Sequence, residues 1–321
     1  LSLEDGFSRG FFLPNVNDYA HSHLYEGWLK KDDFRTVQLE GDDLQAHYDW
    51  LMKIPIAKSL FDEMEAAGMQ RPEWQKLHAA YFSKGYLVII TREPCHEEAI
   101  FKRFAQVFDL TYTRFLDLKK AEAQTREAQI EASLEKVRSV ALGLNKSDDM
   151  LEVAQALYEQ LLALGFNNIR NSIIDIDNGD GLTFSDYDYS HEMGGTVTQM
   201  SYKDDPTLKE LLEDIIATTD GFSEMVLEGK KLQDLIEMRR NNGEAEDPRL
   251  HNTNSISYIL YAFGKGAIGI SNFGVLPEHQ KSILNRFRNV FTFAYQRYTD
   301  LAQSESQAKA LLEEKQQLEK I

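Results

Sequence analysis

Residues 103–118 read RFAQVFDLTYTRFLDL, and residues 286–301 read RFRNVFTFAYQRYTDL. Arg103, Phe104, Val107, Phe108, Tyr112, Arg114, Asp117 and Leu118 each recur 183 positions later. Upstream, FSKG at 82–85 answers FGKG at 263–266, and LEGDDLQ at 39–45 answers LEGKKLQ at 227–233. The offset drifts from 188 to 181 to 183, as loops of different length require. Two helices with a common apolar pattern would not also share LEGxxLQ and FxKG in the same order. The chain is therefore read as an internal duplication.

The second repeat is the easier to parse. SDDM at 147–150 is a helix start in which Ser147 or Asp148 can cap the first amides. Leu151, Ala154, Leu157, Leu161 and Leu164 follow at helical spacing until Gly165. Ile169–Ile176 has strand character, NGDG at 178–181 signals a turn, and Leu182–Tyr187 and Thr196–Tyr202 are expected as further strands. Leu208–Ala217 and Lys230–Arg240 read as helices. Ser255–Phe263 and Ala267–Ser271 read as strands around a GKG turn, and a long helix begins near Pro277. In the first repeat Leu44–Leu51 is a helix, Leu77–Phe82 and Tyr86–Thr91 are strands, and a helix starts near Glu97. It has no counterpart to the opening helix at 148–164, so an N-terminal truncation is expected. The fold class is α+β: two related domains, each an antiparallel sheet with flanking helices, joined by a long helix.

Composition narrows the function. The 321 residues suffice for two domains, and 42% hydrophobic with 27% charged residues is a globular balance. A net charge of −17 argues against a nucleic-acid partner, which needs a basic footprint, and against docking on an anionic membrane. Cys95 is the single cysteine, so there is no intrachain disulfide and no basis for a Cys-based zinc site. No apolar run reaches membrane-spanning length and no signal peptide opens the chain, so a cytoplasmic location is expected.

The order helix, strands, helices, strands, terminal helix resembles the GAF sensor domain. More specifically, YTRFLDLKKAEAQTREAQIEASLEKVRS at 112–139 resembles the connector of a bacterial family of cytosolic sensors with two GAF-like domains ahead of a histidine kinase region or another output. IFKRFAQVFDLTYTRFLDL at 100–118 and HLYEGWLKKDDF at 23–34 fit the same family. The resemblance covers essentially the whole chain and implies signal input and dimerisation. The chain departs from the family in lacking a phosphoacceptor helix and ATP-binding glycine motifs. It also lacks the NKxxxFxxxDE pattern of cyclic-nucleotide-binding GAF domains, of which NKSDDM at 145–150 matches only the first two residues. The expected organisation is a first GAF-like domain at 1–118, a helical connector at 119–146, a second domain at 147–301 and a signalling helix at 302–321.

The terminal helices carry a seven-residue pattern. Phe101, Phe104, Phe108, Thr111, Phe115 and Leu118 alternate spacings of 3 and 4, as do Leu284, Phe287, Phe291, Ala294, Tyr298 and Leu301. The N-terminal part of such a stripe is expected to cover its own sheet. Beyond the polar stretch 119–129 a new register begins at Ile130, Leu134, Val137, Ala141 and Leu144. The two registers are offset by 12 residues, a break that locally alters supercoiling. A narrow seam of this kind is expected to pair in parallel with the same helix of a second chain. Leu311 and Leu318 repeat the idea in the tail.

Sites are harder to find. Cys95–His96 resembles the bilin-attaching pair of phytochrome GAF domains, but it follows a late strand rather than lining a pocket helix, so no bilin is expected. Asp175, Asp177 and Asp180 fail the calcium-loop rule because Gly179 and Asp180 stand in inverted order, which favours a hairpin turn. The histidines show no HxxxH or HExxH spacing, and no P-loop, GxSxG or GxGxxG is present, so neither a metal nor a catalytic centre is expected. A GAF-like pocket would lie between sheet and covering elements. Tyr187, Tyr189, His191 and Tyr202 in the second domain, and Tyr25, Trp28 and Phe34 in the first, are the candidates to line it for a small planar ligand. The expected function is a sensory input module feeding a C-terminal output, a histidine kinase by resemblance. The alternatives are the regulatory region of a nucleotide cyclase or phosphatase, and a freestanding protein-binding scaffold.

Overall fold

A computed structural model describes residues 13–15, 17–144, 149–180, 182–201, 215, 221–241 and 247–318. The chain divides into two compact units, Leu1–Glu122 and Ala123–Ile321, each mixed α and β with an antiparallel sheet.

The first unit runs α1 (Tyr19–Lys30), β1 (Phe34–Glu40), α2 (Gly41–Leu51), α3 (Pro55–Ala66), β2 (Trp74–Phe82), β3 (Gly85–Thr91) and the start of α4 (Glu98–Leu142). Its sheet has the order β1-β2-β3. Alternate residues of these strands face opposite ways. Val37, Leu39, Leu77 and Ala79 are buried with Ala20 and Leu24 of α1 and Leu44, Tyr48 and Leu51 of α2. On the opposite face, Phe34 and His78 meet Phe101 of α4, and Phe82 meets Phe108 and Tyr112.

The second unit continues with α5 (Met150–Ala163), β4 (Ile169–Asp177), β5 (Thr183–Ser190), β6 (Gly194–Ser201), β7 (Phe222–Glu228), α6 (Gly229–Asn241), a 3-10 turn at Pro248–Asn252, β8 (Ser255–Ala262), β9 (Gly266–Phe273) and α7 (Glu278–Leu318). Its six strands lie in the order β6-β5-β4-β9-β8-β7. One face carries a core built from α5, α7 and the C-terminal part of α4, and the other a core that includes α6. In α5, Met150, Val153, Ala154, Leu157, Tyr158 and Leu161 form the buried stripe that helical spacing requires, and Gly165 at φ 88 ends the run.

The repeat has a structural meaning. β1-β2-β3 has the same order as β7-β8-β9, with α2 matching α6 and α4 matching α7. In LEGxxLQ, Leu39 and Leu227 end a strand in the core. Gly41 and Gly229 both take φ 52 to turn that strand into a helix, a conformation that costs a side-chain-bearing residue about 1–2 kcal/mol. Leu44 and Leu232 then bury the first turn. The motif is a strand-to-helix corner. Strands 34–40 and 222–228 precede it, where the sequence analysis places none.

What differs is the half of the sheet beyond. A Cβ on Gly266 would lie 1.8 Å from the Asp175 carbonyl oxygen, because β4 runs against β9 at that point. At Gly85 it would meet only the ring of Phe82, at 3.4 Å. The first unit has no strand corresponding to β4 among its described residues, and β3 forms the edge of its sheet.

One expectation about α4 is corrected by the packing. Ile130, Leu134, Val137, Ala141 and Leu144 do not form an open seam. They are buried in the core of the second unit with α5 and α7, so the C-terminal half of the expected connector belongs to that unit. The N-terminal part of the other stripe does reach the first sheet, through Phe101 and Phe108, but much of the stripe is bare. Phe104 is 62% exposed and Phe108 40%, whereas their repeats Phe287 and Phe291 are both at 0%. Val107, Leu110, Phe115 and Leu118 are exposed as well. In the second unit α5 and the end of α4 supply the cover, and the first unit has no such helices among its described residues. The helix itself is unbroken through 119–129. The side chains of Tyr298, Leu311 and Leu318 on α7, and the proposed cap at Ser147 or Asp148, lie outside the described residues, as does the helix read at 208–217 except for Ile215.

Candidate functional site

The expected ligand-lining aromatics fall in two groups, one in each unit. In the second unit, residues 188–195 are not an irregular stretch. β5 runs to Ser190 and β6 starts at Gly194, making a tight hairpin. Tyr187 belongs to the core beneath α5, and Tyr189 packs against that core from the same side. Tyr189 and His191 flank Tyr158 of α5, with ring centroids 5.7 and 5.1 Å away. These rings fasten a helix to the sheet. The candidate Tyr202 lies outside the described residues.

In the first unit, Tyr25 and Trp28 are neighbours on α1 with centroids 5.9 Å apart. Phe34 points to the other face of the sheet, where it stacks on Phe101. Strand alternation separates it from the α1 pair. Cys95 and His96 sit in the loop between β3 and α4, as the sequence indicates. The Asp177–Asp180 stretch is a hairpin turn: Asp177 Oδ1 accepts from the Gly179 amide, and Asp180 Oδ1 accepts from the Leu182 and Thr183 amides.

Two polar constellations do converge, and neither was anticipated from the sequence. The first is an arginine–aspartate network in the second unit. Asp247 caps the 3-10 turn through the Arg249 amide at 3.0 Å. Its carboxylate also accepts from Arg170 Nε of β4 at 3.0 Å and from Arg249 Nε and Nη2 at 3.0 and 2.9 Å. Arg249 Nη2 also donates to the Arg170 carbonyl, and Nη1 pairs with Glu192 of the β5–β6 hairpin at 2.7 Å. Burial would raise the Asp247 pKa, but the Arg249 hydrogen bonds and the charges of Arg170 and Arg249 outweigh it and hold the carboxyl below its ordinary value. These bonds make the network a brace joining β4, the turn and the hairpin.

The second constellation lies in the first unit. Asn17, at φ 72, turns the chain into α1, and Asp18 is its N-cap. Asp18 Oδ2 accepts from the His21 amide at 2.9 Å and lies 2.7 Å from His21 Nδ1. Asp18 Oδ1 lies 3.0 Å from Nδ1 of His47, one turn after Leu44 on α2. The Asp18 and His47 side chains are each 4% exposed and that of His21 is 17%, so solvent reaches the cluster past His21. His21 stacks on His47 at 5.4 Å and tilts against Trp50 at 4.9 Å. Burial would raise the Asp18 pKa, but hydrogen bonds from the His21 amide and from both imidazoles lower it overall. Burial pushes His47 down, which favours the neutral imidazole.

Asp18, His21 and His47 are the one group of three ionisable side chains among the described residues whose ligand atoms lie close enough to share an ion, all within 4.8 Å of one another. Histidine spacing does not reveal it, because His47 is 26 residues from His21 and meets it only through the packing of α2 on α1. The available sequence signal is weaker: histidine at a position of α2 whose repeat, Leu235, is core leucine.

Among the described residues no helix is long and apolar enough to cross a membrane. A scan against protein-family models and a search of curated proteins find no match to this chain.

Proposed function

We propose that this chain is a sensory input module of the GAF type, which passes a signal along its helices to an output domain. The observation that carries this reading is α4, a single helix of 45 residues. Its first turns pack on the sheet of the first unit through Phe101 and Phe108, and its last turns supply Leu134, Val137 and Ala141 to the core of the second. Between them lies a polar stretch, 119–129, with no glycine or proline to interrupt it. A rotation or axial shift of such a helix reaches both ends. The second unit repeats the design, with α7 leaving the sheet as the terminal helix. A histidine kinase is the output favoured by the resemblance of residues 112–139. The test is a fusion of the chain, through α7, to a histidine kinase catalytic region. Insertions of three or four residues within 119–129 are expected to change autophosphorylation about tenfold, whereas seven-residue insertions restore helical phase and leave it nearly unchanged. Equal effects at all lengths would overturn the reading.

The homodimer belongs to the same proposal, with its contact moved. The exposed face of α4 carries Phe104, Val107, Phe115 and Leu118, whereas Phe287 and Val290, the repeats of Phe104 and Val107, are buried in the core of the second unit. A second chain's α4, parallel to the first, is the cover we assign. Replacing Phe104 and Phe115 by glutamate should convert a dimer to a monomer in sedimentation equilibrium with no loss of helix content. An unchanged mass would remove this contact.

A further inference from the structure

We propose that Asp18, His21 and His47 form a binding site for a divalent first-row transition ion, formed by α1 and α2 of the first unit. This goes beyond the sensory reading and stands without it.

Three features carry the inference. First, the donor set is two imidazoles and one carboxylate, which suits zinc, cobalt, nickel or iron and not magnesium or calcium, which take oxygen ligands. Second, the ligand atoms are already gathered, all within 4.8 Å of one another. Two ligand atoms each about 2.1 Å from one ion lie roughly 3 Å apart when they subtend a right angle. The two Nδ1 atoms already lie 2.7 and 3.0 Å from opposite oxygens of one carboxylate. Third, the fold does not need an imidazole at position 47. The LEGxxLQ corner of the second unit continues into α6 with Leu235 where the first has His47, and Leu235 is buried among apolar neighbours. Burying an imidazole at this position costs desolvation that the repeat, with Leu235, avoids. An N-cap needs one carboxylate oxygen. Asp18 has its other oxygen on an imidazole of a different helix, and capping does not account for that.

Without the ion, the imidazoles hydrogen-bond to Asp18. With it, each Nδ1 becomes a ligand and the remaining coordination positions open past His21, the exposed member. The ion thereby ties the start of α1 to the middle of α2.

The test is titration of the 321-residue chain, freed of any affinity tag, with zinc by calorimetry and with cobalt by visible absorption. One ion per chain is expected, with cobalt ligand-field bands and a rise in melting temperature on zinc addition. His47→Leu installs the side chain of the other repeat. It should fold, shown by an unchanged circular dichroism spectrum, and weaken zinc at least about 100-fold, well beyond the loss of a supporting contact. Asp18→Asn should do the same, and His23→Ala, two residues along α1 and outside the cluster, should leave binding intact. If His47→Leu does not fold, His21→Ala at the exposed rim provides the loss-of-ligand variant. Absence of saturable zinc binding by the wild-type chain would overturn the proposal. So would equal affinity in the wild type and a folded ligand variant.

Discussion

Val137→Asp and Leu134→Asp are each expected to destabilise the second unit by at least about 4 kcal/mol, enough to unfold it in a protein of ordinary stability. Val137 is fully buried and Leu134 nearly so, in a core that also holds Leu157, Leu161, Phe287 and Phe291. A carboxylate there would have to be buried among apolar side chains or drag the helix out. The measurement is urea denaturation followed by circular dichroism, with hydrogen exchange of the β4 and β9 amides locating the loss. The repeat supplies an internal control. Phe291→Ala should cost about 3–5 kcal/mol through the cavity it leaves. Phe108→Ala, at the same position of the other repeat, should cost less than about 1.5 kcal/mol because its ring is already 40% in solvent. If Val137→Asp merely separated chains while every β4 amide stayed protected, the seam would be intermolecular after all.

Asp247→Asn should destabilise the second unit by about 3–5 kcal/mol, since it leaves the guanidinium of Arg170 buried without its carboxylate. The Arg170 and Asp247 side chains are 7% and 1% exposed, so water is a poor substitute on either side. The same pair sets a pH dependence. The Asp247 pKa is lower in the folded chain than its ordinary value. Its contribution to stability is therefore complete above the unfolded value of about 3.9 and is lost as pH falls through the lower folded value. Denaturation midpoints measured from neutral pH down to about pH 2 should fall more steeply for the wild type than for Asp247→Asn, which has no such carboxylate to protonate. Parallel curves would show that the network carries no linked proton.

The duplication, the α+β class and the continuous helix through 119–129 were legible in the sequence, because each rests on a local pattern. LEGxxLQ recurs because one backbone corner, with its φ 52 glycine and its two core leucines, is built twice. The helical spacing of α5 and the glycine that ends it are equally local. Strands β1 and β7 were missed because their apolar residues are few and run straight into that corner, where the glycine reads as a helix start.

Periodicity shows that a stripe is apolar and says nothing of what covers it. The heptad at 130–144 and the one at 101–118 have the same form, yet tertiary structure buries the first inside its own unit and leaves much of the second bare. The difference comes from α5, β4, β5 and β6, which complete one unit and have no equivalents among the described residues of the other. In the first unit the aromatic candidates were divided by strand alternation: Phe34 faces away from the side of the sheet, lined by Val37 and Leu39, on which α1 with Tyr25 and Trp28 packs. The Asp18, His21 and His47 cluster likewise depends on how α2 lies across α1. Chain order placed His47 far from its partners, and only the packing of two helices on one face of a sheet brought the three together.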